Sequence, residues 1–195
     1  MNDFKETLAN PTVTEDMTLE EVSKGADMIL GVSVAGAFTE KILLNLAKDP
    51  IIFAMANPEP EVRPEEARRI RPDCIIATGR SDYPNQVNNV MCFPFLFRAA
   101  LDTRSSQINE KMKIAAADAL ACLARQPVPD EVKRVYPDRD FSFGKDYVIP
   151  TPFDPRLITT IPIKVAEAAA ASGVARNPIQ DIEAYRKRLG EINQS

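Results

Sequence analysis

An α/β fold built on a parallel sheet, with flanking helices and a helical carboxy-terminal region, is predicted by three observations. Three short apolar runs, Met28 to Val32, Ile51 to Ala56 and Cys74 to Ala77, each stop at a loop of small or polar residues. Helix-like segments separate these runs, as crossovers between parallel strands require. Beyond residue 85 the strand pattern gives way to long helical stretches.

The elements follow in order. Thr18 before Leu19-Glu20-Glu21-Val22, with Glu21 three residues on, predicts a short capped helix ending at Gly25. After the first strand, Ser33-Val34-Ala35-Gly36 forms a loop, and Thr39 caps a helix through Ala47 that Asp49-Pro50 breaks. The second run ends at Asn57-Pro58, Pro64-Glu65-Glu66 starts another helix, and the third run ends at Thr78-Gly79. From Asn85 the apolar positions Val87, Val90, Met91, Phe95 and Leu101 predict a long helical stretch that Pro94 must kink or restart. Gln107 to Arg125 is an alanine-rich helix suited to close packing, and Gln126 to Tyr136 is a connector with a short helical piece. Tyr147 to Ile149 is expected as a last short strand. Two terminal helices, Ile161 to Ser172 and Ile179 to Leu189, fall within residues 156–195.

Composition sets the outer limits. A chain of 195 residues with 45% apolar content buries roughly 70% of its unfolded surface, enough for one domain spanning residues 1–195. A formal charge of -4 with scattered Lys and Arg offers no footprint for nucleic acid. Cys74, Cys92 and Cys122 lack metal-ligand spacing and sit in apolar surroundings, so they are expected to be buried thiols in a reducing compartment. No run approaches the roughly 20 apolar residues of a membrane span, and the first residues lack a basic start followed by an apolar stretch. The expectation is a cytoplasmic protein without a membrane partner.

Candidate site residues cluster after the strands, where open α/β sheets keep their ligands. Asn57 follows the second strand and precedes Pro58, where its amide faces a ligand or closes an ordinary turn. Asn88 and Asn89 open the stretch after the third strand; one amide caps backbone donors while its neighbour points to the cleft, or both serve as local turn residues. Gly31, Ser33 and Gly36 frame the first strand-end loop, through close approach to a ligand or simply a tight turn. Arg80 meets a ligand carboxylate or phosphate or, as a solvated loop arginine, pairs with Asp82, the preferred reading, and Tyr83 is expected to pack its ring. Phe153 is expected to anchor the Pro150 to Pro155 turn by burial, and Asp154 to form a surface ion pair of ~0–1 kcal/mol with Arg156 or to cap the helix.

Ile51-Ile52-Phe53-Ala54-Met55-Ala56-Asn57-Pro58-Glu59-Pro60, read with Gly79-Arg80-Ser81-Asp82-Tyr83-Pro84-Asn85-Gln86-Val87-Asn88-Asn89, resembles the nucleotide-binding part of bacterial malic enzymes. Nearly the whole chain carries the resemblance, including the tail through Asn177-Pro178-Ile179-Gln180-Asp181. It implies a partial Rossmann-like sheet in a single partial NAD(P)-binding domain over 1–195, since the sequence has no Gly-x-Gly-x-x-Gly and only three buried strands with intervening helices. By resemblance, Ser33, Asn57 and Asn88 contact NAD or NADP, while Asn57 and Asn89 contact malate; Glu59 stands where a threonine is frequent. No residue is assigned a catalytic role, because Tyr83 does not match the family's acid, and none is assigned as a ligand of Mg or Mn. Those ligands, and a missing amino-terminal part of the same enzyme, are expected outside this chain. Malate or pyruvate as substrate and a homo-oligomer complete what the resemblance implies. A non-catalytic α/β binding or assembly module of the same fold is the alternative.

Overall fold

The computed structural model describes residues 6, 7, 9 and 16–192. Three four-residue strands, β1 (Met28–Gly31), β2 (Ile51–Ala54) and β3 (Ile75–Thr78), form a parallel sheet in the order β1-β2-β3. The register aligns Gly31 with Ala54 and Ala54 with Thr78, so the three strands end level. Helix α1 (Leu19–Val22) carries the capping box expected of Thr18 and Glu21. Helix α2 (Glu40–Asn45), capped by Thr39, crosses from β1 to β2, and α3 (Pro64–Ile70), opened by Pro64, crosses from β2 to β3.

Both crossovers cover one face of the sheet. Ile29, Ile52, Ala54 and Ile76 pack there with Phe38, Ile42, Leu43 and Leu46 around α2 and with Ala67 of α3. On the opposite face Met28 is 45% and Leu30 56% exposed, so the two-sided burial usual for parallel sheets is absent at β1 among the described residues.

After β3 the helical stretch expected from Asn85 begins later, and it restarts at Pro94 as expected. Val87 lies outside any helix and donates its amide to the Thr78 carbonyl at 2.8 Å. A 3-10 turn covers Asn89–Met91, and α4 (Phe93–Asp102) restarts with Pro94 in its first turn. Proline is tolerated there because first-turn amides have no partner within the helix.

Helices α5 (Glu110–Ala124), α7 (Arg156–Ala171) and α8 (Ile182–Ile192) join α4 in a second apolar core. Met112, Ala116, Ala119 and Leu123 of α5 meet Leu157, Ile161, Val165 and Ala169 of α7, and the small residues allow the close approach anticipated from composition. The short helix α6 (Asp130–Val135) lies in the connector.

Four expectations need correction. Tyr147 to Ile149 is no strand: Tyr147 makes one isolated antiparallel bridge with Gly144, and the Val148 amide is taken by the Asn85 side chain at 2.9 Å. Cys74 is buried, but Cys92 is half-buried and Cys122 exposed, because the buried stripe of α5 leaves Cys122 outside it. Phe153 is 68% exposed; its turn is anchored instead by Asp154. The Asp154–Arg156 pair is likewise no surface pair, since the Asp154 carboxylate is fully covered and accepts from Arg156 Nε at 2.9 Å and Nη2 at 2.6 Å.

Candidate functional site

The level strand ends bring the candidate residues to one edge. Ser33 lies two residues beyond the end of β1, and Asn57 lies three beyond the end of β2 in a cis Asn57-Pro58 pair. The Val87–Thr78 bond and a parallel bridge between Thr78 and Gln86 hold Asn88 and Asn89 near the end of β3. Asn57, Asn88 and Asn89 are all exposed. Asn88 Oδ1 accepts from the Val90 amide at 3.0 Å, capping the 3-10 turn. Adjacent asparagines thus divide the work: Asn88 shapes the turn and Asn89 follows it on the surface.

What organises this edge is Glu61, which sequence reading missed. Its side chain is completely buried. Oε1 accepts from the Ser33 amide at 2.7 Å and from Ser33 Oγ at 3.1 Å, and Oε2 accepts from the Ala56 amide at 2.9 Å. Burial pushes the Glu61 carboxyl toward its neutral form, but the amide donors of Ala56 and Ser33 outweigh it, and the carboxyl is held below its ordinary range. Gly31 is explained by the same group. A Cβ there would stand 2.4 Å from Glu61 Cδ and 2.7 Å from Phe38 Cζ. The glycine therefore makes room for a side chain of the fold, in keeping with the tight-turn alternative. Ser33 donates its hydroxyl inward, leaving its oxygen lone pairs for any further contact.

A second tie joins the β2 and β3 loops. Arg80 clasps Asp82 through Nε at 3.0 Å and Nη2 at 2.8 Å, as expected, and also donates to Glu59 Oε1 at 2.8 Å. The Arg80 hydrogen bonds hold the Asp82 carboxyl low. Tyr83 lies under the Arg80 guanidinium and donates to Glu65 Oε1 at 3.2 Å; that bond pushes its phenol up, which suits packing rather than proton transfer at neutral pH.

Asn85 was also underestimated. It is buried at a φ of 53°, donates to the Ile76 and Lys145 carbonyls at 3.1 and 2.7 Å, and accepts from Val148. It fastens β3 to the loop at 145–148. No periodicity marks such a residue; the only sequence signal is an asparagine at a strand-end turn. Beneath this loop a cavity of about 190 Å³ is bordered by Arg68, Asn85, Asp146, Tyr147 and Thr151, away from Ser33, Asn57 and Asn89. Tyr147 Oη and Thr151 Oγ1 are buried there without a hydrogen-bond partner, and burial pushes the Tyr147 phenol up to about 12.

The edge offers outward amides to a neutral or anionic ligand. It offers no metal centre, for among the described residues no group of three or more His, Cys, Asp or Glu is placed to hold an ion.

Residues 2–141 match the family model for the malic enzyme NAD binding domain. The chain belongs to the malic enzyme family. It is 54% identical over 189 residues to the NADP-dependent malic enzyme of Rhizobium meliloti, covering 97% of this chain and 25% of that relative. It is 50% identical over 192 residues to the NAD-dependent malic enzyme of the same organism, covering 98% and 25%. The crystal structure of malic enzyme from Pyrococcus horikoshii superposes with a TM-score of 0.75 at 35% identity, covering 90% of this chain and 38% of that one. The chain thus spans about a quarter of the length of these two Rhizobium relatives, and the partial Rossmann-like α/β fold expected of it is that of the malic enzyme NAD-binding domain. No helix among the described residues is long and apolar enough to cross a membrane.

Proposed function

We propose that this chain is a single partial NAD(P)-binding domain, and that it supplies the cofactor- and carboxylate-facing edge of an enzyme that oxidatively decarboxylates malate to pyruvate and carbon dioxide. The observation that carries this reading is the convergence of exposed Asn57, Asn88 and Asn89 on the carboxyl edge of a parallel sheet, with Ser33 latched beside them. Ser33, Asn57 and Asn88 meet the dinucleotide, and Asn57 and Asn89 meet the malate carboxylate. An amide suits both tasks because it donates to a carboxylate and accepts from a carboxamide without changing protonation.

Mg or Mn, held by residues outside this chain, supplies polarisation of the malate C2 oxygen. This chain's part is to bind and orient. The rest of the same enzyme is its partner, in a homo-oligomer, and the uncovered apolar residues Met28 and Leu30 on the sheet and Phe93, Phe97 and Leu101 on α4 support burial in a larger assembly. Three unpaired thiols are in keeping with a cytoplasmic location. The NAD-dependent and NADP-dependent Rhizobium relatives match this chain nearly equally well, so either nucleotide is admitted.

Calorimetric titration of NAD and NADP, each with malate and Mn present, tests the reading. One nucleotide binds saturably, Asn57→Ala weakens it at least tenfold, and Asn89→Ala chiefly removes the effect of malate. The chain alone turns over no malate. Folded chain that binds neither nucleotide, or turnover abolished by Asn89→Ala, overturns the proposal, the former in favour of a non-catalytic module.

A further inference from the structure

We infer that Glu61 is a positioning residue whose carboxylate couples the loop after β1 to the loop after β2, setting the crevice through which the strand-end residues reach their ligand. The inference rests on the dinucleotide-binding reading above. Its geometric basis is that Ser33 and Ala56 are counterparts in the sheet: Gly31 pairs with Ala54, and each loop residue lies two positions further on. The last backbone rung between the strands runs from the Met55 amide to the Gly31 carbonyl at 3.0 Å. One step later no carbonyl bridges the gap. The Glu61 carboxylate takes both amides instead, one on each oxygen, and so bridges the two loops where the backbone ladder has ended.

The chemistry requires an acceptor on both sides. Every polar neighbour of the carboxylate is a donor: the Ser33 amide, the Ser33 hydroxyl and the Ala56 amide. Among the described residues no Lys or Arg forms an ion pair with Glu61, so its charge is held by hydrogen-bond donors rather than by a counter-ion. A glutamine of the same shape must turn its NH2 toward at least one N–H, leaving a buried donor facing a donor. The Glu61 main chain adds a further tie, its carbonyl accepting from the Phe38 amide at 3.2 Å at the entry to α2. Because the bonded groups are Ser33 itself and the residue before Asn57, release of the carboxylate moves two proposed ligand contacts together.

The test uses the 195-residue chain with Glu61→Gln and Gly31→Ala, the latter forcing the carboxylate from its seat by a Cβ. Amide hydrogen exchange is read at Ser33 and Ala56, and NAD and NADP affinities are measured by calorimetry well below each variant's Tm. Both substitutions are expected to release the two amides together, each at least tenfold, and to weaken the bound nucleotide at least tenfold. Ile161→Val, remote from the edge, lowers Tm while leaving affinity and both amides unchanged. Retained protection at either amide, or affinity within twofold of the parent in Glu61→Gln, overturns the inference. If the parent chain binds no nucleotide, the cofactor reading falls by itself. Glu61 is then judged on the amides, joint release upholding the coupling and separate or absent release refuting it.

Discussion

Between residues 28 and 78 the chain uses four-residue strands and helices of six and seven residues, whereas α5 and α7 run for 15 and 16. Short elements have more backbone ends per residue, and every buried end needs a partner. In the sheet half those partners are polar side chains. Glu61 takes the amides beyond β1 and β2, Asn85 takes the Ile76 carbonyl of β3, and Arg71 donates to the Leu43 and Leu46 carbonyls at the end of α2, both at 2.9 Å. In the helical half most backbone hydrogen bonds close within each helix, and the helices meet chiefly through Ala116, Ala119, Val165, Ala169 and their apolar neighbours, with a few side-chain ties such as Tyr185 Oη donating to Asp102 at 2.9 Å. One half is tied and the other is packed.

The sharpest challenge to that division is Asp154, a buried acid at the mouth of the packed half. Its carboxylate is fully covered, and Arg156, which also donates to the Pro127 carbonyl at 2.9 Å, is its ion-pair partner. Asp154→Ala leaves a mostly buried guanidinium without its counter-charge, and a loss of about 4 kcal/mol is expected in urea unfolding. A loss below about 1 kcal/mol would show that packing alone holds the start of α7.

Within the packed half the largest single apolar contribution is expected from residues such as Ile161, which is wholly buried in the core shared by α4, α5, α7 and α8. Ile161→Ala should cost about 3 kcal/mol through lost transfer energy and the cavity left behind. The denaturant slope should stay the same. A much smaller loss would mean that the alanine-rich interface collapses to fill the space.

This contrast also explains which features were legible in the sequence. The strands at Met28, Ile51 and Ile75, the Thr18 and Thr39 caps, the Pro64 start and the alanine-rich helix were all readable, because periodicity and capping are local signals. The edge holding Ser33, Asn57, Asn88 and Asn89 was readable as a place, since it follows from where strands end. Glu61 was not. It sits 28 residues from Ser33, in a Pro-rich turn where an exposed acid is the ordinary expectation. Phe153 and Asp154 were exchanged for the same reason: hydrophobicity predicts burial on average, and only tertiary partners reveal a buried acid beside an exposed ring.

Acid provides a milder probe of the tied half. The Glu61 carboxyl has a folded-state pKa below its ordinary value of 4.5, so the unfolded chain binds its proton first as pH falls. Its contribution is complete above that ordinary value and is lost as pH falls through the folded-state pKa. Relative to Glu61→Gln, the parent chain should therefore lose more of its stability advantage between neutral pH and pH below 4. The difference in Tm between the two proteins, followed across that range, should narrow on acidification. A constant difference would indicate that Glu61 is not ionised in the folded chain.

The smallest effect tests how much a polar tie contributes in the packed half. Asn109 caps α5 by accepting from the Met112 amide at 3.1 Å, and its NH2 donates at 2.9 Å to Ser172 Oγ at the far end of α7. Ser172 Oγ in turn donates to the Ala168 carbonyl at 2.7 Å, so one asparagine closes the start of one helix against the end of another. Asn109→Ala removes both functions and should cost about 1–2 kcal/mol, near the upper range for a lost cap. Asn109→Asp keeps the acceptor and improves its match to the helix N-terminus while deleting the donor. If α5 depends only on its cap, the aspartate variant will equal or exceed the parent in Tm. If the bridge to Ser172 contributes, aspartate will fall between parent and alanine, and adding Ser172→Ala will cost the aspartate variant less than it costs the parent. Such non-additivity would extend the logic of the sheet half, where side chains complete backbone ends, into the half that otherwise relies on packing.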